Sequence, residues 1–291
     1  MPFLKKCFLA CLLLIAACSK SAPTTPQKPL LLVSIAPYRF LAERIAGPGF
    51  DVGTVVPGAS NPHTFEPTSA QVSNMARCQV WFRIGEPFEQ KILPILHAHN
   101  PQLSVADLRD GIEMIQEPHG LGCKCCSMDH FDRHIWLSPK LAEQQAALIE
   151  KALSARYPDQ QEMFHNNCMQ LCQDLRALDL EVRDILKTAA NRTLLVSHPA
   201  FAYFCKDFGL VQLSVEYEGK DPRPKHLEEI LQRAVAESAE LALALPQYNN
   251  KGAQLIAEKL HKPIRYIDPY SADYFETVRK LAKMIADPYA H

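Results

Sequence analysis

The chain has 291 residues, with 31 Lys and Arg against 32 Asp and Glu, so its formal net charge is −1. This balance excludes a nucleic-acid-binding protein that relies on bulk positive charge, and it excludes an acidic solvating tail. Hydrophobic residues make up 47% and charged residues 22%, a composition that can bury the cores of about two domains or of one large domain.

Residues 1–17 have the pattern of a signal peptide, with Lys5 and Lys6 ahead of an apolar run. The run is too short for a transmembrane helix, which needs about 20 residues. It ends in Ile-Ala-Ala-Cys, which resembles the lipobox of bacterial lipoproteins and predicts lipidation of Cys18. Ordinary cleavage after Ala17 is the alternative. Residues 18–29 are rich in Ser, Thr and Pro and predict a flexible tether, so we expect an exported protein anchored only by lipid.

Short apolar runs then alternate with longer amphipathic stretches, which predicts an α/β lobe over residues 30–157 with a mainly parallel sheet. The predicted strands are Leu30–Ala36, Asp51–Val56, Gln79–Ile84 and Leu103–Leu108. The predicted helices are Phe40–Ile45, Ser69–Met75, Phe88–Leu96 and Ser138–Ala155.

A single long helix is predicted within residues 158–190, from about Asp159 to Thr188. Apolar residues recur there at alternating steps of four and three, at Phe164, Cys168, Leu171, Leu175, Leu178, Val182 and Ile185. A coiled-coil dimer would show the same spacing. Because α/β patterns flank the segment, we favour a rigid helix that lies across both halves of a monomer. Cys168 and Cys172 are predicted to be core residues rather than ligands.

The strand and helix alternation resumes over residues 191–291, which predicts a second α/β lobe. The predicted strands are Thr193–Ser197, Val211–Tyr217, Glu240–Leu245 and Ile264–Ile267. The predicted helices are Pro199–Phe208, His226–Ser238, Gly252–Leu260 and Tyr274–Ile285. The predicted fold is therefore two α/β lobes, each with a mainly parallel sheet flanked by helices, joined by one long rigid backbone helix.

Four potential metal ligands stand where an apolar run meets a turn or helix: His63, His134, His198 and Asp268. Ligands of open α/β sheets bind outside the carboxyl ends of the strands. A lone histidine in such a place is more often structural, so only the four positions taken together indicate a metal site. His63 and His134 are 71 residues apart, and His198 and Asp268 are 70 apart, as expected if two similar lobes close on a shared site.

These positions lie in motifs that resemble the zinc/manganese solute-binding proteins of ABC importers, and the resemblance covers about residues 30–285. The motifs are Asn61–Thr68, Ala76–Glu89, Asp132–Pro139, Ser197–Phe204 followed by Phe208–Leu210, and Ile267–Pro269. The resemblance implies that His63, His134, His198 and Asp268 bind one ion between two lobes joined by a rigid helix. It implies a monomeric carrier that delivers metal to an ABC permease and its ATPase. Arg133 replaces the family's usual Pro, and Ala244–Gln247 lacks the acidic residue that zinc members often carry.

Zinc is the favoured metal, because three imidazoles and one carboxylate form a tetrahedral zinc site. Mn²⁺ and Fe²⁺ are the alternatives, more so if Asp268 binds through both oxygens. The segment from residue 117 to 130 could capture a soft metal near the site. Its donors are His119, Cys123, Cys125, Cys126 and His130. A disulfide-closed loop, or thiols without a function, are the alternatives.

Three other functions compete with the carrier. A secreted zinc hydrolase would keep an open coordination position and a general base, but the chain lacks His-Glu-x-x-His and offers only Glu66 nearby. A thiol redox or copper-handling protein built on the cysteine segment would leave the four histidine and aspartate motifs unexplained. An adhesin that keeps the fold would not need the metal. We therefore expect a binding protein and not an enzyme.

Overall fold

The computed structural model describes residues 28–58, 60–116, 131–189, 192–216 and 222–289. The predicted signal peptide, the lipidation site Cys18, most of the tether and the segment with His119, Cys123, Cys125, Cys126 and His130 lie outside the described residues. Within the described ranges, no helix has both the length and the apolar character needed to cross a membrane.

The first half forms a sheet of four parallel strands in the order β2-β1-β3-β4. The strands are β1 Leu30–Val33, β2 Asp51–Thr54, β3 Val80–Arg83 and β4 Ser104–Asp107. The helices are α1 Ala36–Ala46, α2 Ser69–Met75 and α3 Pro87–His99. Helix α2 matches its predicted bounds because Thr68 and Gln71 form a reciprocal capping box at its start.

The middle of the chain consists of helices that pack on one another. A 3₁₀ turn at Ile135–Leu137 leads into α4 Pro139–Arg156, whose N-cap Ser138 accepts a hydrogen bond from the Leu141 amide. Another 3₁₀ turn, Pro158–Gln160, precedes α5 Gln161–Leu186. At 1.5 Å per residue, the 26 residues of α5 span about 39 Å.

Helix α5 is buried by other helices of the same chain. It packs against α1, α4 and α9, and its predicted apolar stripe faces them. Leu171, Leu175 and Val182 are fully buried, and Cys168 and Cys172 are 6% and 8% exposed. The periodicity therefore reflects packing within one chain, and the two cysteines lie in the core.

The second half repeats the topology of the first, with four parallel strands in the order β6-β5-β7-β8. The strands are β5 Thr193–Val196, β6 Val211–Ser214, β7 Leu241–Ala244 and β8 Ile264–Tyr266. The helices are α6 Ala202–Phe208, α7 Pro224–Ala236, α8 Lys251–Leu260 and α9 Tyr274–Ala286. The predicted fold class is confirmed, while the predicted lobe boundaries stay predictions.

Several elements are shorter than predicted. Two of these differences, in α6 and β6, lie next to residues of the candidate site. Helix α6 begins at Ala202 rather than Pro199, because the preceding turn is closed by a hydrogen bond from the Ala200 amide to the His198 carbonyl. Strand β6 ends at Ser214, and the amide of Glu216 donates to the Ser197 carbonyl at 3.2 Å just beyond the end of β5.

One apolar core runs through both halves. The same cluster of buried side chains contains Leu31 of β1, Leu175 of α5, Val196 of β5 and Leu243 of β7. A shared core of this kind couples the two sheets mechanically, because close-packed interiors resist relative movement. The loops after the strands of both sheets are thereby held opposite one another.

Candidate metal centre

Three histidines reach a common point from loops that follow strands of the two sheets. His63 lies in a turn after β2, where its amide donates to Asn61 Oδ1 at 2.9 Å. His134 precedes the Ile135–Leu137 turn, and its amide donates to Asp132 Oδ1 at 2.8 Å. His198 follows β5 directly. Local turn chemistry therefore fixes the backbone of each histidine before any ion binds.

The Nε2 atoms of the three rings converge. Those of His63 and His198 are 3.3 Å apart, and those of His198 and His134 are 3.2 Å apart. Among the described residues, these three form the group of potential metal ligands whose donor atoms all lie within 4.8 Å of one another. A tetrahedral zinc ion with Zn–N bonds of about 2.0–2.1 Å places its nitrogens about 3.3–3.4 Å apart. The observed spacing matches that geometry.

A carboxylate faces the other ring nitrogen of each histidine. His63 Nδ1 is 3.0 Å from Glu86 Oε2, His134 Nδ1 is 2.6 Å from Asp132 Oδ1, and His198 Nδ1 is 2.8 Å from Glu216 Oε2. A carboxylate accepts a hydrogen bond from the Nδ1–H group, so each neutral ring keeps its lone pair on Nε2. Three lone pairs directed at one point repel one another unless a cation lies between them. Carboxylate–histidine pairs of this kind orient metal ligands and increase their basicity.

The histidines differ in how readily they take a proton. Burial lowers the pKa of His198 well below its ordinary value, and the neighbouring His134 and His63 lower it further. Burial is also the largest influence on the pKa of His63 and would lower it, but the charge and hydrogen bond of Glu86 outweigh burial and raise that pKa. His198 is therefore neutral and able to coordinate an ion at neutral pH. His63 stays protonated up to a higher pH than an ordinary histidine, and over that range an ion must displace its proton.

The fourth predicted ligand, Asp268, does not join the group. Its Oδ1 accepts hydrogen bonds from Gln247 Nε2 at 2.8 Å and from the Tyr270 amide at 2.9 Å. Gln247 Nε2 also donates to the Gly58 carbonyl at 3.1 Å, which links the loops of the two sheets. The structure thus brings His63, His134 and His198 together and leaves Asp268 beside them, engaged with other partners.

The residues that support the three histidines were not predicted from the sequence. Asp132, two residues before His134, could have been recognised from its spacing, and Glu216 from its place after a strand. The aromatic side chains around the site gave no local signal. The ring of Tyr248 stacks on that of His198, with centroids 3.8 Å apart and planes 13° apart. The Tyr270 hydroxyl lies 3.3 Å from His134 Nε2.

Arg133 does not prevent His134 from reaching the site. Its Nε donates to the Gly85 carbonyl at 2.7 Å, at the carboxyl end of β3. Burial alone would raise the pKa of Glu86, but the charge and hydrogen bond of His63, and then the charge of Arg133, outweigh burial and lower that pKa. The residue that replaces the family's usual Pro therefore stabilises the carboxylate behind His63.

Comparison with known proteins identifies the family. The family model for the periplasmic zinc-uptake complex component A, ZnuA, matches residues 31–287. The chain belongs to the ZnuA family. A relative from Chlamydia muridarum is 32% identical over 263 residues, which cover 90% of this chain and 92% of the relative. The high-affinity zinc uptake system protein ZnuA of Bacillus subtilis is 29% identical over 228 residues, which cover 74% of this chain and 71% of that protein.

Solved ZnuA structures share the fold over almost their whole length. A crystal structure of ZnuA has a TM-score of 0.82 and 30% identity, covering 90% of this chain and 99% of that chain. A 138–173 deletion mutant of ZnuA with zinc bound gives the same TM-score and identity. This ZnuA-family protein is a metal-binding solute-binding component of an ABC importer and not an enzyme, which confirms the resemblance seen in the motifs.

Proposed function

We propose that this protein is an extracytoplasmic carrier that binds one Zn²⁺ between its two sheets and delivers it to an ABC permease and its ATPase. The observation that carries the proposal is the convergence of three histidine Nε2 atoms, 3.2–3.3 Å apart for the two measured pairs, each ring backed by its own carboxylate. His63, His134 and His198 are the proposed ligands. Asp268 stays the proposed fourth ligand, with its Oδ1 held by hydrogen bonds from Gln247 and from the Tyr270 amide.

Zinc fits these donors better than its competitors. Imidazole nitrogen is a preferred zinc donor, and at such sites the intrinsic affinity of Zn²⁺ exceeds that of Mn²⁺ and Fe²⁺. The relatives named above that carry a functional name are zinc-uptake proteins. Mn²⁺ or Fe²⁺ as cargo is the alternative, and it would call for more oxygen donors than the three histidines supply.

The burial of the ligands indicates how the ion enters. The side chain of His63 is 25% exposed, whereas those of His134 and His198 are 2% and 6% exposed. We infer that the ion enters past His63 and is released the same way. Because α5 and the common core join the two halves, we expect binding to change the overall shape only slightly.

The proposal includes a location and an accessory site in residues that the structure does not describe. Residues 1–17 would direct export, and lipid on Cys18 would hold a monomer at the membrane through the tether of residues 18–29. His119, Cys123, Cys125, Cys126 and His130 would form a capture loop. Deleting residues 120–127 should then slow zinc loading. An unchanged rate, affinity and stoichiometry would end the capture hypothesis.

The carrier proposal is tested on the mature chain from Ser19, stripped of metal and dialysed anaerobically against equimolar Zn²⁺, Mn²⁺ and Fe²⁺. Elemental analysis should find about one Zn per chain at the main site. His198→Ala should lose it, and His165→Ala, which changes an exposed histidine of α5, should keep it. Retained Mn or Fe would overturn the choice of metal. Absence of any retained metal would overturn the carrier function.

A further inference from the structure

A tyrosine of the second half of the chain joins two backbone segments of the first half. The segments pair antiparallel through a bridge between Gln116 and Phe131, and the Asp132 amide donates to the Ile115 carbonyl at 2.9 Å. Residues that face each other in a close antiparallel pair usually exchange two such bonds. Here the other bond passes through a side chain. The Ile115 amide donates to Tyr203 Oη at 2.9 Å, and the Tyr203 hydroxyl donates to the Asp132 carbonyl at 2.7 Å.

Tyr203 reaches this pair from helix α6. It lies in the first turn of α6, five residues after His198, and it is 2% exposed. Its ring packs in a small apolar cluster with Ile112 and Ile135, and Ile135 directly follows His134 in the chain. The ring and the hydroxyl of Tyr203 therefore both contact the immediate surroundings of His134.

The contact continues from the paired segments to the histidine. Asp132 Oδ1 accepts hydrogen bonds from the His134 amide at 2.8 Å and from His134 Nδ1 at 2.6 Å. The position of Asp132 therefore determines both the backbone and the ring orientation of His134. Since the stretch of chain that carries His198 also carries Tyr203, it positions one histidine directly and holds the support of another.

We propose that Tyr203 is a positioning residue for His134, which acts through Asp132 and sets the distance between the His134 and His198 rings. This inference rests on the proposed function and extends it to a residue that does not touch the ion. The hydroxyl of Tyr203 takes the place of one backbone hydrogen bond between the paired segments and ties both segments to α6. The spacing of 3.2 Å between His134 Nε2 and His198 Nε2 depends on that tie.

Removing the hydroxyl has a defined consequence for the paired segments. Tyr203→Phe leaves the buried Asp132 carbonyl and the Ile115 amide without their shared partner, and an unpaired buried backbone group is costly. The two groups should therefore form a direct bond with each other. One bond would then span a gap that two bonds and a hydroxyl oxygen span now, so Asp132 should move toward Ile115. His134 is bound to Asp132 and should move with it, away from its present place beside His198.

The test measures metal binding by Tyr203→Phe in the mature chain. Zinc affinity is determined by chelator competition, and the geometry of the site from the visible spectrum of Co²⁺ bound in place of zinc. Tyr38→Phe is the matched control, because Tyr38 is fully buried and its hydroxyl accepts a hydrogen bond from Gln145 Nε2 at 2.6 Å. This control also removes the hydroxyl of a buried tyrosine. Both substitutions are repeated in an Asp132→Ala background, and thermal unfolding in chelator confirms that each variant folds.

Tyr203→Phe should weaken zinc binding by about three- to tenfold, less than the about 10–100-fold typical when a residue that touches a metal ligand is replaced. It should also shift the Co²⁺ spectrum. Tyr38→Phe should lower the unfolding temperature while leaving zinc affinity and the spectrum unchanged. In the Asp132→Ala background, Tyr203→Phe should cost less than about twofold in addition, because the contact through which it acts is already lost.

Three results would overturn the proposal. Tyr203→Phe could leave affinity and spectrum unchanged, Tyr38→Phe could weaken zinc binding as much as Tyr203→Phe does, or the full effect of Tyr203→Phe could persist in the Asp132→Ala background. Failure of the carrier function itself would look different, because the wild-type chain would then retain no metal.

Discussion

Replacing Glu86 by Gln tests whether the carboxylates behind the histidines contribute to metal binding. The Glu86 side chain is fully buried, and its Oε2 lies 3.0 Å from His63 Nδ1. Gln keeps the size of the side chain and an oxygen that can accept a hydrogen bond from Nδ1–H, but it removes the charge. Loss of such a partner typically costs about 10–100-fold in metal affinity, which is about 1.4–2.7 kcal/mol. Because Glu86 is completely buried, we expect a loss of affinity toward the upper end of this range.

The sign of the pH dependence makes this prediction specific. Glu86 raises the pKa of His63, so in the wild type a proton competes with zinc from a pH above the ordinary value for histidine. Removing the charge lowers the pKa of His63 and weakens this competition. The ratio of wild-type to Glu86→Gln zinc affinity should therefore be largest at high pH. This ratio should shrink as the pH falls through the pKa of His63.

The assay is zinc competition against a chelator of known pH dependence, between about pH 6 and pH 8.5, the range in which histidine charge changes. Glu66→Gln is the matched control, because Glu66 lies three residues from His63 but is exposed and pairs with Lys91. It should leave affinity unchanged at every pH. An affinity ratio for Glu86→Gln that is near one, or that grows as the pH falls, would refute the reasoning.

Three further predictions concern stability and shape. Leu175→Ala in α5 should lower the free energy of unfolding by about 2–5 kcal/mol in urea, with exposed Leu180→Ala near wild type; similar values for both would contradict the buried stripe. Burial raises the pKa of Glu89 to about 7 from 4.5, so its protonated form contributes stability that is present below pH 4.5 and lost as the pH rises through 7. Between pH 4.5 and pH 8, the free energy of unfolding of Glu89→Gln should therefore rise by up to about 3 kcal/mol relative to wild type, and a difference that does not change with pH would contradict this. The X-ray scattering radius should hardly change on zinc binding, and a change as large as that of hinge-bending sugar-binding proteins would refute the coupled core.

The elements could be predicted from sequence wherever the pattern determines one structure. Strand β5 is fully buried and reads as a continuous apolar run, and α2 carries its own capping residues. The spacing in α5 could not decide between a coiled-coil dimer and a helix inside one chain, because both bury the same stripe. Contacts with α1, α4 and α9 decide it, and those contacts depend on the whole fold.

The site was predictable in part for the same reason. His63, His134 and His198 follow strands, and parallel topology brings strand ends together. Their carboxylate partners were harder to find, since Glu86 is 23 residues from His63 and Glu216 is 18 residues from His198. The motif also did not show that Asp268 Oδ1 accepts hydrogen bonds from Gln247 and from the Tyr270 amide.

The three histidines are chemically unequal, and this inequality would help the proposed carrier to release its ion. The pKa of buried His198 is lowered, so that ring stays neutral as the pH falls. His63 is the most exposed of the three, and its pKa is raised, so this ring takes up a proton more readily than His198 does. Losing one of three nitrogens sharply weakens the site while the other two remain in place. Glu86 therefore has two opposing effects: it strengthens His63 as a donor, and it stabilises the protonated ring that competes with the metal.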